Sequence, residues 1–154
     1  MKKYLAILAM ALMIAPAVTH AQNTLNSAAD NILGDYECFD EGNESRMHIT
    51  KNVDGSFTGT LFWLKDDLDP KTGDCWKDYR NPDKSLRSRY VHDIPLVVGL
   101  KYNAEKKQWD KGKVYDPNRG IKANCTAQFS QNGDLVIKGT VLGIGESITW
   151  KKMK

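Results

Sequence analysis

Two arginines in a polar stretch of the chain are the residues best suited to binding a charged group. Arg87 and Arg89 lie two positions apart. Alternate residues of an extended segment point to the same side, and each guanidinium can bind a carboxylate or phosphate through two parallel donors. The same side chains could instead pair with nearby acids, such as Asp83 and Asp93, and hold the segment in place. The sequence therefore predicts either an anion-binding position or a set of structural ion pairs.

Three aromatic residues are candidates for the wall of a binding cavity. Trp63, Trp109 and Tyr115 lie in segments that we predict to be strands, and alternation places Trp63 on the same face as Leu61. Tryptophan in a strand most often packs in a core, but a barrel that keeps a cavity would line it with such side chains. The predicted ligand-binding residues are Arg87, Arg89, Trp63, Trp109 and Tyr115.

Cysteine and histidine are too scattered in sequence to predict a metal site or a catalytic centre. Cys38, Cys75 and Cys125 form no C-x-x-C pair, and none lies beside His48 or His92. A zinc site needs more nearby ligands than this spacing offers, and no nucleophile motif is present. We therefore predict no metal, no cofactor and no catalytic residue. In an oxidising compartment three cysteines predict one disulfide, and its pairing stays open.

Several aspartates in the polar stretch raise the question of calcium. An EF-hand loop needs oxygen ligands at alternating positions, a central glycine and a closing glutamate. No window of this stretch supplies that series. The sequence therefore favours a solvated, turn-rich loop. The aspartates are Asp66, Asp67, Asp69, Asp74, Asp78 and Asp83.

The first residues have the pattern of a secretory signal peptide, residues 1–21. Lys2 and Lys3 precede a short apolar run, and Thr19 and Ala21 place small residues where signal peptidase needs them. We expect a mature single domain, residues 22–154, that is periplasmic or secreted and has no membrane anchor. Loss of the two lysines lowers the formal charge from +3 to about +1. This balance gives no electrostatic reason to expect a nucleic-acid partner.

Short alternating segments separated by tight turns indicate an all-β domain. Such a series predicts an up-and-down antiparallel sheet that removes its exposed edges by closing into an eight-stranded barrel. A barrel of this size either fills its interior with side chains or keeps room for one small ligand. The predicted strands are Gly34–Phe39, Ser45–Lys51, Ser56–Leu64, Ile94–Tyr102, Gln108–Tyr115, Ile121–Ser130, Asp134–Val141 and Glu146–Lys152.

Two segments depart from this regular series. Asn26–Leu33 has apolar residues at helical spacing and predicts a short amino-terminal helix. Lys65 to Asp93 is a long connection of 29 residues, which we predict to be a lid over one barrel mouth. Within it, Asn81 to Arg87 predicts a short helix with Asn81 as its N-cap and Pro82 in its first turn.

The sequence Asp-Pro-x-x-Gly occurs twice, at Asp69–Gly73 and at Asp116–Gly120. Aspartate in such a turn accepts a hydrogen bond from the backbone two residues on, and proline presets the following φ. Glycine closes the turn because it readily adopts a left-handed conformation. We predict that both segments are structural turns.

Several motifs occur in a fixed order along the chain: Asp69-Pro70-x-x-Gly73, Asn81-Pro82-Asp83, Leu86-Arg87-Ser88-Arg89, Trp109-x-x-Gly112-x-x-Tyr115-Asp116-Pro117-x-x-Gly120 and Trp150. The pattern is similar to secreted proteins grouped as domain of unknown function 2147 and covers nearly the whole predicted mature chain. The resemblance implies a small exported barrel of lipocalin type, with no established catalytic residue to carry over. Where the family usually has an arginine, this chain has Glu146, so a ligand site that depends on that arginine is not implied.

These observations support three hypotheses for function. The leading one is an exported barrel that binds a small, partly apolar ligand carrying an anionic group. The alternative is an envelope or stress-related module without a cavity, whose long loop binds another protein. The third is a hydrolase-type enzyme, whose activity would disappear on replacing Cys75 or His92.

Overall fold

Eight antiparallel strands close into a barrel in the computed structural model, which describes residues 23–40, 43–141 and 143–154. Each strand pairs with the next along the chain, and β8 pairs with β1, so the predicted up-and-down barrel is confirmed. The predicted signal peptide lies outside the described residues. The strands are β1 Gly34–Asp40, β2 Asn43–Lys51, β3 Phe57–Leu64, β4 Pro95–Asn103, β5 Gln108–Asp116, β6 Ile121–Phe129, β7 Leu135–Val141 and β8 Ile144–Lys152.

The two ends of the barrel carry different connections. The end that we call the plug end has the short β2–β3, β4–β5 and β6–β7 turns together with the amino-terminal segment. The opposite end, the strap end, has the β5–β6 turn and residues 65–94, which connect β3 to β4 and which we call the strap. Across the described part of the chain, no helix is long and apolar enough to cross a membrane.

The predicted amino-terminal helix is replaced by two 3-10 turns, Thr24–Asn26 and Ala29–Ile32. Ala28 between them is extended, with φ −141°. The Asn26 amide donates to the Phe129 carbonyl at 2.8 Å, and its side-chain oxygen accepts from the Phe129 amide at 2.8 Å. Asparagine thus bonds distant backbone in preference to continuing a local helix, and the segment closes the plug end of the barrel.

Large apolar side chains fill the barrel interior from the plug end to its middle. Trp109 is fully buried, and its indole N–H donates to the Ala29 carbonyl at 3.0 Å. Gly112 allows a close approach here, because a Cβ at this position would lie 2.6 Å from a Leu100 methyl carbon. The largest buried apolar side chains include Trp109, Tyr36, Phe57, Ile32, Met47 and Leu100.

A β-bulge turns Trp63 away from the core. The register between β2 and β3 shifts, so that Met47 pairs with Leu61 while Arg46 pairs with Trp63, and Phe62 is the extra residue. Met47 and Leu61 are buried, whereas the Arg46 guanidinium lies 4.5 Å from the centre of the Trp63 ring. The predicted shared face of Leu61 and Trp63 is therefore wrong, because a one-residue slip moves a side chain to the opposite face.

Both Asp-Pro-x-x-Gly segments form the predicted turns. The Asp69 carboxylate accepts from the Lys71 amide at 2.9 Å, and the Asp116 carboxylate accepts from the Asn118 amide at 2.8 Å. The closing glycines, Gly73 and Gly120, have φ of 72° and 68°. Both predicted turns are therefore confirmed.

The predicted disulfide is not formed among the described cysteines. Cys75 in the strap and Cys125 in the core both carry free thiols, and any pairing of the three cysteines needs at least one of them. Burial in apolar surroundings raises the pKa of the Cys125 thiol to about 12. Cys125 therefore acts as a small apolar core residue.

Candidate functional site

The strap folds into three adjacent passes at its end of the barrel. Bridges join Leu68 to Cys75 and Lys77 to Tyr90. The Trp76 amide donates to the Asp67 carbonyl at 2.8 Å, and the Trp76 carbonyl accepts from the Val91 amide at 2.9 Å. The strap is thus an ordered element, because its middle pass, which contains Trp76, forms backbone hydrogen bonds to both the first and the third pass.

A buried carboxylate fastens the strap to the barrel wall. Asp78 is 1% exposed, and it accepts from the Tyr115 hydroxyl at 2.5 Å and from the Asn81 amide at 2.7 Å. Arg89 adds a charged partner at 3.1 Å. Burial, followed by the adjacent Asp78 carboxylate, raises the pKa of Tyr115, so its hydroxyl stays protonated as the donor.

The β5–β6 turn packs against the same part of the strap. Arg80 donates from its guanidinium to the Asn118 carbonyl at 2.7 Å. A Cβ at Gly120 would lie 2.1 Å from the Arg80 carbonyl oxygen, and Gly120 has φ 68°. Only glycine fits this contact, so the turn and the strap are fitted to each other.

The predicted helix in the strap is shorter than expected and has a different cap. A 3-10 turn covers Lys84–Leu86, and the Asp83 carboxylate caps it by accepting from the Ser85 amide at 2.9 Å. Asn81 accepts from the Asp83 amide at 2.9 Å, one turn earlier. The Asp83 carboxylate accepts from both the amide and the hydroxyl of Ser85, so the turn begins after Asp83.

A second cluster in the strap brings together an acid, a thiol and an imidazole. Asp67, Cys75 and His92 each offer a ligand atom, and these atoms all lie within 4.8 Å of one another. His92 Nδ1 lies 2.6 Å from Asp67 Oδ2, while Asp67 Oδ1 is buried without a hydrogen-bond partner. Burial and the neighbouring carboxylates raise the pKa of the Cys75 thiol, which does not suit a nucleophile.

Sequence reasoning missed this cluster, although part of its signal was present. The Asp69–Gly73 turn reverses the chain, and Asp67 and Cys75 flank that turn. A prediction of the turn therefore implies that these two residues approach each other. His92 comes from the third pass, for which the sequence gives no comparable signal.

The barrel interior is open near the strap end. Ile137 is buried in the core and pairs with Ile148, so Ile148 shares its inward face, yet Ile148 is 37% exposed. Beyond the inward-facing Gly139 and Glu146, the last inward pair towards this end is Val141 and Ile144, which are 41% and 75% exposed. On β6, Ile121 lies on the inward face two places beyond Ala123 and is 42% exposed. These four side chains form what we call the open half of the barrel.

An ion-pair network borders the open half. Glu146 occupies the inward position between Ile144 and Ile148. Arg119 donates to Glu146 Oε2 at 2.7 Å and to Asp116 at 2.5 Å. Its guanidinium therefore already bonds two carboxylates, and the bonds to Arg119 lower the pKa of Glu146.

A separate cleft of about 240 Å³ lies on the outer wall, where the strap meets β4 and β5. Leu86, Val98 and Tyr115 contribute apolar surface, and Lys113 and Lys122 contribute positive charge. Arg89 also lines the cleft, and its Nε is buried without a hydrogen-bond partner. We call this feature the outer cleft.

The five predicted ligand-binding residues do not converge on one place. Trp109 lies in the packed core, and Trp63 stacks with Arg46 outside the barrel. Arg87 donates from Nε to the Asn81 carbonyl at 2.7 Å within the strap. Tyr115 and Arg89 are brought together, through Asp78, beside the outer cleft.

The amino-acid sequence matches the model of one protein family. The family model for DUF2147, described as an uncharacterized protein conserved in bacteria, matches residues 34–152. The chain belongs to this family. The resemblance predicted from the motifs is thereby confirmed, and the DUF2147 match spans every strand of the barrel. No curated protein matches the chain.

Among solved structures, this DUF2147 chain is similar to one described as protein HP1028 from the human pathogen Helicobacter pylori, which belongs to the lipocalin family. The two superpose with a TM-score of 0.65 at 23% sequence identity, covering 79% of this chain and 82% of that chain. At this identity the likeness establishes the shared fold. The barrel is therefore lipocalin-like.

Proposed function

We propose that this DUF2147 protein, acting in the periplasm or after secretion, binds a small and mainly apolar ligand in the open half of the barrel. The observation that carries the proposal is the exposure of inward-facing Ile121, Val141, Ile144 and Ile148. Apolar groups that face an interior and remain in contact with water gain free energy when a ligand covers them. The lipocalin-like fold supports the same function.

The charges around Arg119 indicate whether the polar group of the ligand is charged or neutral. Because Arg119 already bonds Glu146 and Asp116, an anionic ligand would have to displace a carboxylate and then lie near it. A neutral hydrogen-bonding group avoids that cost. For the open half we therefore propose a ligand with an uncharged polar group, which departs from the anionic group expected from the sequence.

Two matched fluorescent probes test this proposal. N-phenyl-1-naphthylamine is neutral, and 8-anilino-1-naphthalenesulfonate adds a sulfonate to the same ring system. We expect the neutral probe to bind with enhanced emission, and Ile148→Gln to weaken it about tenfold, because contact with one isoleucine contributes roughly 1.5 kcal/mol. Val53→Gln is the matched control, since Val53 is fully exposed in the β2–β3 turn. Equal weakening by both substitutions would refute the proposal.

A second candidate place for an anion-bearing ligand is the outer cleft. It combines apolar surface with Lys113 and Lys122, and the unpartnered Arg89 Nε supplies a donor at its wall. This cleft retains Arg89 and Tyr115 from the sequence prediction. It supports the anionic group that the open half does not.

Charge reversal distinguishes the two places. Lys122→Glu is expected to weaken the sulfonated probe about tenfold and to leave the neutral probe unchanged, because a single nearby charge interacts only with the anion. Lys101→Glu, on an exposed lysine of β4, serves as the control. Unchanged binding of the sulfonated probe to the Lys122→Glu protein would exclude the outer cleft.

A further inference from the structure

We propose that Asp67, Cys75 and His92 form a Zn²⁺ site that fastens the three passes of the strap together. Each pass contributes one donor, and the three ligand atoms lie within 4.8 Å of one another. Carboxylate, thiolate and imidazole are the donors that zinc takes in proteins. This proposal revises the sequence prediction of no metal, which treated the cysteines and histidines as isolated from each other.

The distances require only a small rearrangement. Ligand atoms around a tetrahedral zinc ion lie about 3.3 to 3.8 Å apart, given metal bonds of roughly 2.0 to 2.3 Å. The 2.6 Å separation of His92 Nδ1 from Asp67 Oδ2 would lengthen, and the wider separations, up to 4.8 Å, would shorten. Side-chain rotations of about 1 Å meet both requirements, so the backbone pairing of the strap can remain as it is.

The surroundings of the cluster favour a cation. Asp67 Oδ1 is buried without a hydrogen-bond partner, which is costly for a carboxylate oxygen unless a donor or a cation faces it. Asp93 adds a carboxylate 3.5 Å from the other ring nitrogen of His92. A divalent ion would satisfy the Asp67 oxygen and displace the Cys75 proton, which would then leave to solvent.

A nucleophilic thiol is a weaker interpretation of the same residues. In that arrangement histidine contacts the thiol directly, and a carboxylate orients the opposite side of the ring. Here the Nδ1 of His92 faces Asp67, and its other nitrogen faces Asp93. Both ring nitrogens therefore point to carboxylates, as expected for a cluster that holds a cation.

The test measures Zn²⁺ affinity by competition with a chromophoric chelator, using the purified protein. We expect one Zn²⁺ per chain and more than about 100-fold weaker binding in Cys75→Ser and His92→Gln, since loss of even an outer-shell partner costs 10- to 100-fold. His48→Gln is the matched control, because His48 also pairs with an aspartate, Asp35, but has no thiol nearby. Binding that survives Cys75→Ser, or that falls equally in His48→Gln, overturns the proposal.

Two further readouts keep the proposal testable if a variant does not fold. Co²⁺ bound to the wild-type protein should show a thiolate-to-metal charge-transfer band, and Zn²⁺ should slow alkylation of Cys75. Absence of both effects overturns the proposal. Binding of N-phenyl-1-naphthylamine in the open half should be unaffected by Zn²⁺, so a failed metal site and a failed ligand site can be told apart.

Discussion

The plug end and the strap end of the barrel are stabilised by different chemistry. At the plug end, Trp109, Tyr36 and Phe57 are fully buried, and the side chains of Trp109 and Tyr36 donate to backbone carbonyls. At the strap end, the buried groups include Asp69, Asp78 and Asn81. The first region therefore depends on removing apolar surface from water, and the second depends on satisfying polar groups.

The two ends also differ in how completely they satisfy their polar atoms. Among the described residues, the buried side-chain atoms without a hydrogen-bond partner are Asp67 Oδ1 and Arg89 Nε, and both belong to the strap. An unmet buried polar atom costs about 1 to 3 kcal/mol, more when the group is charged. The comparison teaches that unmet buried polar atoms are concentrated in the strap, where the proposed metal site and the proposed anion-binding cleft lie.

The strongest expected effect is at the plug end. Trp109→Ala should lower the free energy of unfolding by about 3 to 5 kcal/mol, because it empties the centre of a packed core. Urea denaturation followed by circular dichroism measures the change. Trp63→Ala removes the same side chain from the outer wall and should cost far less. Similar losses for the two variants would mean that the core is not concentrated around Trp109.

The next effect should be confined to the strap. Asp78→Asn removes the carboxylate that accepts from Tyr115 and Arg89, and we expect a loss of about 2 to 3 kcal/mol. Limited proteolysis should cut the strap earlier, while the barrel amides keep their protection from hydrogen exchange. Asp66→Asn, on an exposed acid of the same strap, is the control. Equal loss of protection throughout the barrel would show that the strap does not unfold separately.

A smaller effect is the loss of stability at alkaline pH that the buried Cys125 thiol should cause. The Cys125 pKa of about 12 in the folded protein lies above the ordinary thiol value, so the unfolded chain releases its proton first. Stability from this group is complete below about pH 8.5 and falls as pH rises towards 12. At pH 10 the loss of stability from this group should be roughly 1 to 2 kcal/mol. Urea denaturation gives the free energy of unfolding at pH 7 and at pH 10. The decrease between these two pH values should be smaller in Cys125→Ala than in the wild-type protein. An equal decrease in the two proteins would contradict the prediction.

The smallest effect concerns the outer wall. Arg46→Ala should cost about 0.5 to 1 kcal/mol, because its guanidinium stacks on Trp63 at a partly exposed position. A double-mutant cycle with Trp63→Ala isolates the coupling between the two side chains. Additive losses would show that the stacking contributes nothing to stability.

Sequence reasoning was strongest where structure is local and periodic. Alternation identified all eight strands, and the chemistry of aspartate, proline and glycine identified both Asp-Pro-x-x-Gly turns. It failed at Trp63, because a bulge of one residue leaves no mark on composition but reverses every later side chain. Alternation of apolar and polar residues in a sequence does not show where a bulge shifts the strand register.

The candidate sites were harder to predict because they depend on contacts between distant residues. Ile121 and Ile148 belong to different strands, and their exposure arises from their position near an open end. Asp67 and His92 are 25 positions apart in a stretch without periodicity. Arg87 bonds the Asn81 carbonyl and Arg89 bonds Asp78, and the sequence could not identify these partners because they depend on the fold of the strap.

The hydrogen bonds between Asn26 and Phe129 limit which contacts can form while the chain is being synthesised. These residues are 103 positions apart, and the β1–β8 pairing joins Tyr36 to Lys152. A chain made from its amino terminus exposes the amino-terminal turns long before their partners exist. The contacts between Asn26 and Phe129 therefore cannot form until residue 129 has been made, and the β1–β8 pairing cannot form until residues 151 and 152 have been made.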